Sequence, residues 1–128
     1  MPKPILTPKT LSALSQGNFY KIITTEEYST WKAGLRDAVA LRAIRARETR
    51  IAAGLWGDVK RIGKISELRV DVGPGYRIYF TIRGTEVILL LLGGNKRTQQ
   101  ADIAKAQSMA DIGYVGRAMT NTLKSQTV

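Results

Sequence analysis

The stretch ELRVDVGPGYRIYFTIR, residues 67–83, decides the fold of this chain. Apolar and polar residues alternate on both sides of a Gly-Pro-Gly turn at 73–75, which predicts two half-buried strands joined as a hairpin. With those three residues as the whole loop, the predicted cross-strand pairs are Val72–Tyr76, Val70–Ile78, Leu68–Phe80, Asp71–Arg77 and Arg69–Tyr79. The charged residues then share the face opposite to the apolar residues.

Toward the C-terminus, the run Val87–Leu92 is apolar without alternation. Such a run predicts a central strand that is covered on both faces. Gly93, Gly94 and Asn95 end it, and Thr98 is the predicted cap of an Ala-rich helix that ends near residue 113. This half of the chain therefore predicts three antiparallel strands followed by one helix.

Toward the N-terminus, residues 19–24 are rich in aromatic and β-branched side chains and predict a first strand. Thr25, followed by two glutamates, predicts the start of a helix whose apolar face carries Tyr28 and Trp31 in the core. A second helix is predicted over about 38–53. The order β-α-α-β-β-β-α predicts a two-layer α+β domain, an antiparallel meander with the helices packed on one face.

A chain of 128 residues and 14.1 kDa allows one domain. We predict a peripheral segment over 1–17, the domain over 18–112 and a C-terminal tail over 113–128. Neither a membrane-spanning run nor a basic-then-apolar leader is recognisable, so we expect a cytosolic protein without a membrane partner.

The charge balance indicates a polyanionic partner. The chain carries 20 Lys and Arg against 10 Asp and Glu, a net charge of +10. Cysteine and histidine are both absent, which excludes disulfides, zinc–thiolate sites, thiol nucleophiles and histidine-based acid–base catalysis.

Several stretches resemble the RelE/ParE toxin superfamily, in particular its HigB-like "addiction module killer" branch. The matching stretches are GDVK at 57–60, ELRVD at 67–71, GPGYRIYF at 73–80, LLGGNK at 91–96 and TQQADIA at 98–104. The resemblance covers about residues 18–112 and implies a RelE-like fold.

The resemblance also implies a growth-inhibiting toxin of the bacterial cytosol, neutralised by a cognate antitoxin, of helix-turn-helix type, and contacting DNA only through the antitoxin complex. Many members cut messenger RNA on the ribosome without a metal or another cofactor. In that reaction the ribose 2′-hydroxyl attacks the adjacent phosphate, and cations stabilise the charge that develops there.

Matching motif by motif, the resemblance assigns the catalytic positions to Arg69, Arg77 and Lys96. Glu67 replaces a second strand Lys of the RelE pattern, and Asp102 falls near a tyrosine position of that pattern. The candidate nucleic-acid-binding residues are Lys60, Arg61, Tyr79, Arg83, Arg97, Arg42 and Arg45. Tyr79 is a candidate for stacking on a base, and Lys96 and Arg97 follow two glycines whose backbone allows close approach of a phosphate.

Each candidate also has a purely structural interpretation. Arg77 can pair with Asp71 across the hairpin, and the arginines of the second helix, Arg47 and Arg50 included, can form its solvated face. Two other functions stay open: a ParE-like inhibitor of DNA gyrase that cuts nothing, and a degenerate module that only binds antitoxin and represses its operon. A weak apolar stripe on the last helix, Ile103, Ala106 and Ala110, is the expected antitoxin surface.

Overall fold

The computed structural model of the protein describes residues 19–111. Its strands are β1 (Lys21–Thr24), β2 (Val59–Ile62), β3 (Ile65–Val70), β4 (Tyr76–Arg83) and β5 (Val87–Asn95). Its helices are α1 (Glu26–Ala33), α2 (Ala38–Ala52) and α3 (Gln99–Asp111), the last preceded by a 3-10 turn at Lys96–Thr98. The segments predicted for 1–17 and 113–128 lie outside the described residues.

One five-stranded sheet, in the order β1-β5-β4-β3-β2, organises the chain. Strands β2 to β5 form an antiparallel meander, and β1 pairs with β5 in parallel. The α+β class is confirmed, and β5 lies between two strands and is buried on both faces, as its unbroken apolar run predicts. The predicted element order is wrong by one strand: β2 is an edge strand of four residues, too short to show an alternating pattern.

Helices cover both faces of the sheet, so the prediction of two layers with all helices on one face is wrong. On one face, α1 and α2 pack on apolar side chains that include Leu68, Ile78 and Leu90. On the other, α3 packs Ala106 and Met109 against side chains that include Leu89 and Leu91. The physical reason is that β5 carries apolar side chains on both faces, and each set needs a cover.

The β3–β4 hairpin has a register two residues away from the predicted one. Val70 pairs with Tyr76, and Arg69 pairs with Arg77. The loop therefore spans 71–75, where the amide of Gly75 donates to the carbonyl of Val72, and both Gly73 and Gly75 have positive φ. A shift of two residues keeps every side chain on its predicted face but changes its partner.

A bulge in β5 determines what its glycines face. Tyr79 pairs with Leu92 and Phe80 with Leu90, so Leu91 is the extra residue. Beyond the bulge, Gly93 lies against the indole of Trp31 on the α1 side, and Gly94 lies against α3.

Of the two helix caps predicted from the sequence, one is confirmed and one is wrong. Thr25 Oγ1 accepts from the amide of Tyr28 at 3.0 Å, which confirms the predicted start of α1. Asp37 caps α2 through the amide of Ala40, also at 3.0 Å. At the last helical segment the cap is Asn95 rather than Thr98, and Thr98 completes a capping box with it.

Candidate nucleic-acid interface

Two arginines lie side by side where β3 ends and β4 begins. Arg69 and Arg77 are direct cross-strand partners, and both point to the face that carries α3. Directly opposed residues of an antiparallel pair have Cβ atoms about 5 Å apart, and like charges in that arrangement repel. This end of the sheet therefore needs negative charge, from the protein or from a ligand.

The protein supplies part of that charge through Glu67, which is fully buried two residues before Arg69. Its Oε1 accepts from Arg69 Nε at 3.3 Å. Its Oε2 accepts from the hydroxyl of Tyr79 at 3.1 Å and from Gln99 Nε2, on the first turn of α3, at 2.8 Å. The network joins two strands and one helix around a single carboxylate.

The network fixes the protonation states of its members. Burial alone would raise the pKa of Glu67, but hydrogen bonds from Gln99, Tyr79 and Arg69, with the charge of Arg77, outweigh burial and hold the pKa below its ordinary value. Burial, together with the Glu67 charge, raises the pKa of Tyr79 above its ordinary value. At neutral pH the carboxylate is therefore ionised and the phenol neutral.

Within the part of the chain that the structure describes, Arg77 has a hydrogen-bond donor without a partner. Its Nε is buried, and within residues 19–111 it has no hydrogen-bond partner. No ion pair involving Arg77 occurs in the same range. A buried donor without an acceptor costs about 1–3 kcal/mol, so holding Arg77 in this position lowers the stability of the fold.

The start of α3 lies beside the arginine pair. Arg77 of β4 pairs with Gly94 of β5. Asp102 lies over Gly94 and accepts a hydrogen bond from the hydroxyl of Thr98. A Cβ on Gly94 would lie 1.9 Å from Asp102 Oδ2. Both glycines of this stretch are buried, so they serve helix packing, and the prediction that they admit a phosphate is wrong.

Lys96 and Arg97 are exposed at this same end of the sheet. The amide of Lys96 donates to the carbonyl of Gly75, which ties the 3-10 turn to the β3–β4 loop. Lys60 is also on this face, because β2 places it opposite Glu67. The structure thus brings together Arg69, Arg77, Lys96, Arg97 and Lys60 at one end of the sheet.

The other predicted binding residues lie elsewhere. Arg42 and Arg45 are exposed on α2, across the sheet from the arginine pair. Arg61 is paired with Ser66 on the α2 side, and its Nε donates to the carbonyl of Gly63. Arg83 ends β4, about 20 Å along the strand from Arg77.

Tyr79 is unavailable for stacking on a base. Its side chain is fully buried under α3, with the hydroxyl committed to Glu67. The predicted antitoxin surface is also covered: Ala106 is fully buried, and Ile103 and Ala110 pack against the sheet. Both predictions fail because the sheet face that sequence reasoning left open is occupied by α3 itself.

Sequence reasoning missed the role of Arg47, which it placed on the solvated face of α2. Arg47 is buried, and it donates through Nη1 to the carbonyl of Arg69 at 2.8 Å and through Nη2 to that of Trp56 at 2.7 Å. Burial and the neighbouring charge of Arg50 lower its pKa, against the opposing effect of Asp58. Arg47 thus holds the backbone of Arg69 from the opposite face of the sheet. The position of an arginine on a predicted helix does not indicate that its side chain is buried or that it bonds a distant strand.

Two wider properties hold for residues 19–111. No helix in this range is long and apolar enough to cross a membrane. The same range contains no cluster of three or more acidic residues that could hold a metal ion.

Comparison with known proteins identifies a relative of this chain. No protein-family model matches the chain. Over 91 residues the chain is 38% identical to an uncharacterized protein of Haemophilus influenzae, a match that covers 70% of this chain and 92% of that protein.

Proposed function

The chain belongs to the same family as this uncharacterized Haemophilus influenzae protein, and we propose that it is the RelE/HigB-like toxin of a type II toxin–antitoxin system. In this proposal it is an endoribonuclease that cuts messenger RNA on the ribosome in the bacterial cytosol. Its cognate antitoxin neutralises it and links it to DNA. The reaction needs no metal and no other cofactor.

The observation that carries the proposal is the Arg69–Arg77 pair. Both side chains lie on the α3 face at the same end of the sheet. Arg69 is hydrogen-bonded to Glu67, whereas the buried Nε of Arg77 has no acceptor within residues 19–111. Guanidinium groups offer parallel N–H donors that match phosphate oxygens. A phosphodiester held by the partly exposed side chains of Arg69 and Arg77 would supply the negative charge that this like-charged pair needs.

The chemistry follows from where charge develops. When the 2′-oxygen attacks the adjacent phosphate, its proton passes to solvent, and Arg69 and Arg77 stabilise the negative charge that accumulates on the non-bridging oxygens. The bond to the 5′-oxygen then breaks, which leaves a 2′,3′-cyclic phosphate and a 5′-hydroxyl that takes its proton from solvent. Lys96, exposed at the same end, is the cation available to the leaving 5′-oxygen. Glu67 and Tyr79 stay ionised and neutral respectively, so we assign neither of them the proton transfer.

The experiment is to express the wild-type chain and Arg77→Ala under an inducible promoter and to map RNA 5′ ends. We expect growth arrest with new 5′-hydroxyl ends for the wild type, and neither for Arg77→Ala. Arg36→Ala, which removes an exposed arginine from the loop between α1 and α2, is the matched control and should cut like the wild type.

The outcomes separate the functions that the sequence left open. Growth arrest with intact RNA and accumulated gyrase–DNA complexes would contradict the nuclease and favour the gyrase inhibitor. Unimpaired growth without cleavage, even with no antitoxin present, would favour the degenerate module.

A further inference from the structure

Glu67 is the carboxylate on which the arginine pair depends. It is fully buried, whereas the Arg69 side chain that it contacts is 36% exposed. Burying a carboxylate is costly unless its oxygens are hydrogen-bonded. Here both oxygens are engaged, one by Arg69 and the other by Tyr79 and Gln99.

The direction of the Arg69 bond matters for the site. Glu67 contacts Nε, the inner edge of the guanidinium, at 3.3 Å. The two Nη groups lie outside this bond, at the outer end of a side chain that otherwise has many rotamers. Fixing Nε therefore restricts where the Nη groups can point, and Arg77 is the cross-strand neighbour on that face.

We propose that Glu67 is a positioning residue: by holding Nε of Arg69, it directs the Nη groups of that arginine to the phosphate that Arg77 also binds. The inference rests on the proposed RNA site, and it adds a residue that never touches RNA. Gln99 and Tyr79 complete the arrangement by holding the second carboxylate oxygen, so that the first is free for Arg69.

The direction in which RNA affinity changes when Glu67 is replaced distinguishes a positioning role from simple charge repulsion. A buried negative charge near a phosphate repels it, so removing that charge would by itself tighten RNA binding. Loss of positioning acts in the opposite direction, because Arg69 then has to be ordered when RNA binds.

The test is a double-mutant cycle on binding to an uncleavable single-stranded 2′-O-methyl RNA. We expect Glu67→Leu, which keeps a similar volume, to weaken affinity about tenfold through loss of a charge-assisted hydrogen bond. In the Arg69→Ala background, the same change should give no weakening. Tighter binding by Glu67→Leu, or equal weakening in both backgrounds, would overturn the positioning role.

The control addresses the possibility that Glu67 only tethers α3. Gln107 also tethers that helix: its side chain donates to the carbonyl of Ile62 at 2.8 Å and accepts from the amide of Lys64 at 3.3 Å. Gln107→Leu loosens α3 at the far end from the arginines and should leave RNA affinity unchanged. Weakening by Gln107→Leu equal to that by Glu67→Leu would contradict positioning.

A measurement on the wild-type protein covers the case in which Glu67→Leu does not fold. In nitrogen-15 spectra of arginine side chains, the Arg69 Nε–H should be ordered before RNA is added, and the Nη signals should shift on binding. A mobile Nε–H in the free protein would refute the inference. A wild-type protein that binds no RNA would refute the proposed function along with it, whereas binding without Glu67–Arg69 coupling would refute positioning alone.

Discussion

The two faces of the sheet are built for different purposes. The face under α1 and α2 buries an apolar and aromatic cluster in which Tyr28, Ile44 and Phe80 are essentially inaccessible. The face under α3 is apolar only at one end. Near the glycines of β5 it changes to the hydrogen-bond network of Glu67, Tyr79 and Arg69, with Arg77 beside it. The first face thus serves the core alone, whereas the second combines part of the core with the proposed anion site.

The largest expected effect is the loss of stability when one glycine on each face of the sheet is replaced by alanine. A Cβ on Gly93 would lie 2.1 Å from the ring of Trp31, whereas a Cβ on Gly94 would meet the carboxylate of Asp102. The indole is rigid and packed, so Gly93→Ala should cost about 3 kcal/mol or more, because overpacking forces backbone shifts. Asp102 can rotate away, so Gly94→Ala should cost about 1 kcal/mol. Urea unfolding of both variants measures the difference; equal losses would show that the faces are packed alike.

Second in size is the effect of Arg77→Ala on RNA cleavage. Removing a donor that stabilises transition-state charge typically lowers the rate about 100-fold to 1,000-fold. The melting temperature should stay near the wild-type value, since the change removes a buried donor that has no acceptor within residues 19–111. Single-turnover cleavage and a thermal melt provide the two readouts. Full cleavage activity would remove Arg77 from the site, and a large loss of stability would assign it to the core instead.

A smaller effect concerns salt. If the arginine pair contacts phosphate, the affinity for single-stranded RNA should fall by about 0.7 log units per log unit of salt for each phosphate contact. Arg77→Ala should therefore reduce that slope by about 0.7. Binding titrations at four or five salt concentrations measure it. A slope that is the same in both proteins would contradict a phosphate contact at Arg77.

The smallest expected effect is on acid stability. The pKa of Glu67 is lowered in the folded protein below its ordinary value, so its ionised form contributes stability above the pH range in which an unfolded glutamate titrates. This contribution is lost as the pH falls through the folded pKa. Glu67→Gln should thus be less stable than the wild type at pH 6 and approach it in more acidic solution. Tyr79→Phe, which removes one hydrogen bond to the carboxylate, should show part of the same change. Parallel curves for wild type and Glu67→Gln would show that the network does not stabilise the charge.

The sequence predicts the first face well because its signals are local. Alternation in β4, the cap at Thr25 and the unbroken run in β5 each depend on neighbours in the chain. They suffice for the class, for most elements and for the face to which each strand residue points.

The second face is predicted poorly because its features depend on distant partners. Only three-dimensional packing puts α3 over Tyr79, joins Gln99 to Glu67 or brings Arg47 to the carbonyl of Arg69. The predicted cross-strand pairs of the β3–β4 hairpin are also wrong, because a five-residue loop and a three-residue loop put the same side chains on the same face of the sheet. Arg69 and Arg77 were selected through a resemblance, and their direct pairing emerged only from the register.

The parallel pairing of β1 with β5 has a consequence for the timing of folding during synthesis. Thr25 donates its hydroxyl hydrogen to the carbonyl of Leu91, 66 residues later. At translation rates of about 5–20 residues per second, that partner is made roughly 3–13 s after Thr25. For those seconds the first strand has no β5 to pair with, while the β2–β3 and β3–β4 hairpins can close as soon as they emerge. The sheet, including the Arg77–Gly94 pairing beside α3, is therefore completed late in folding during synthesis.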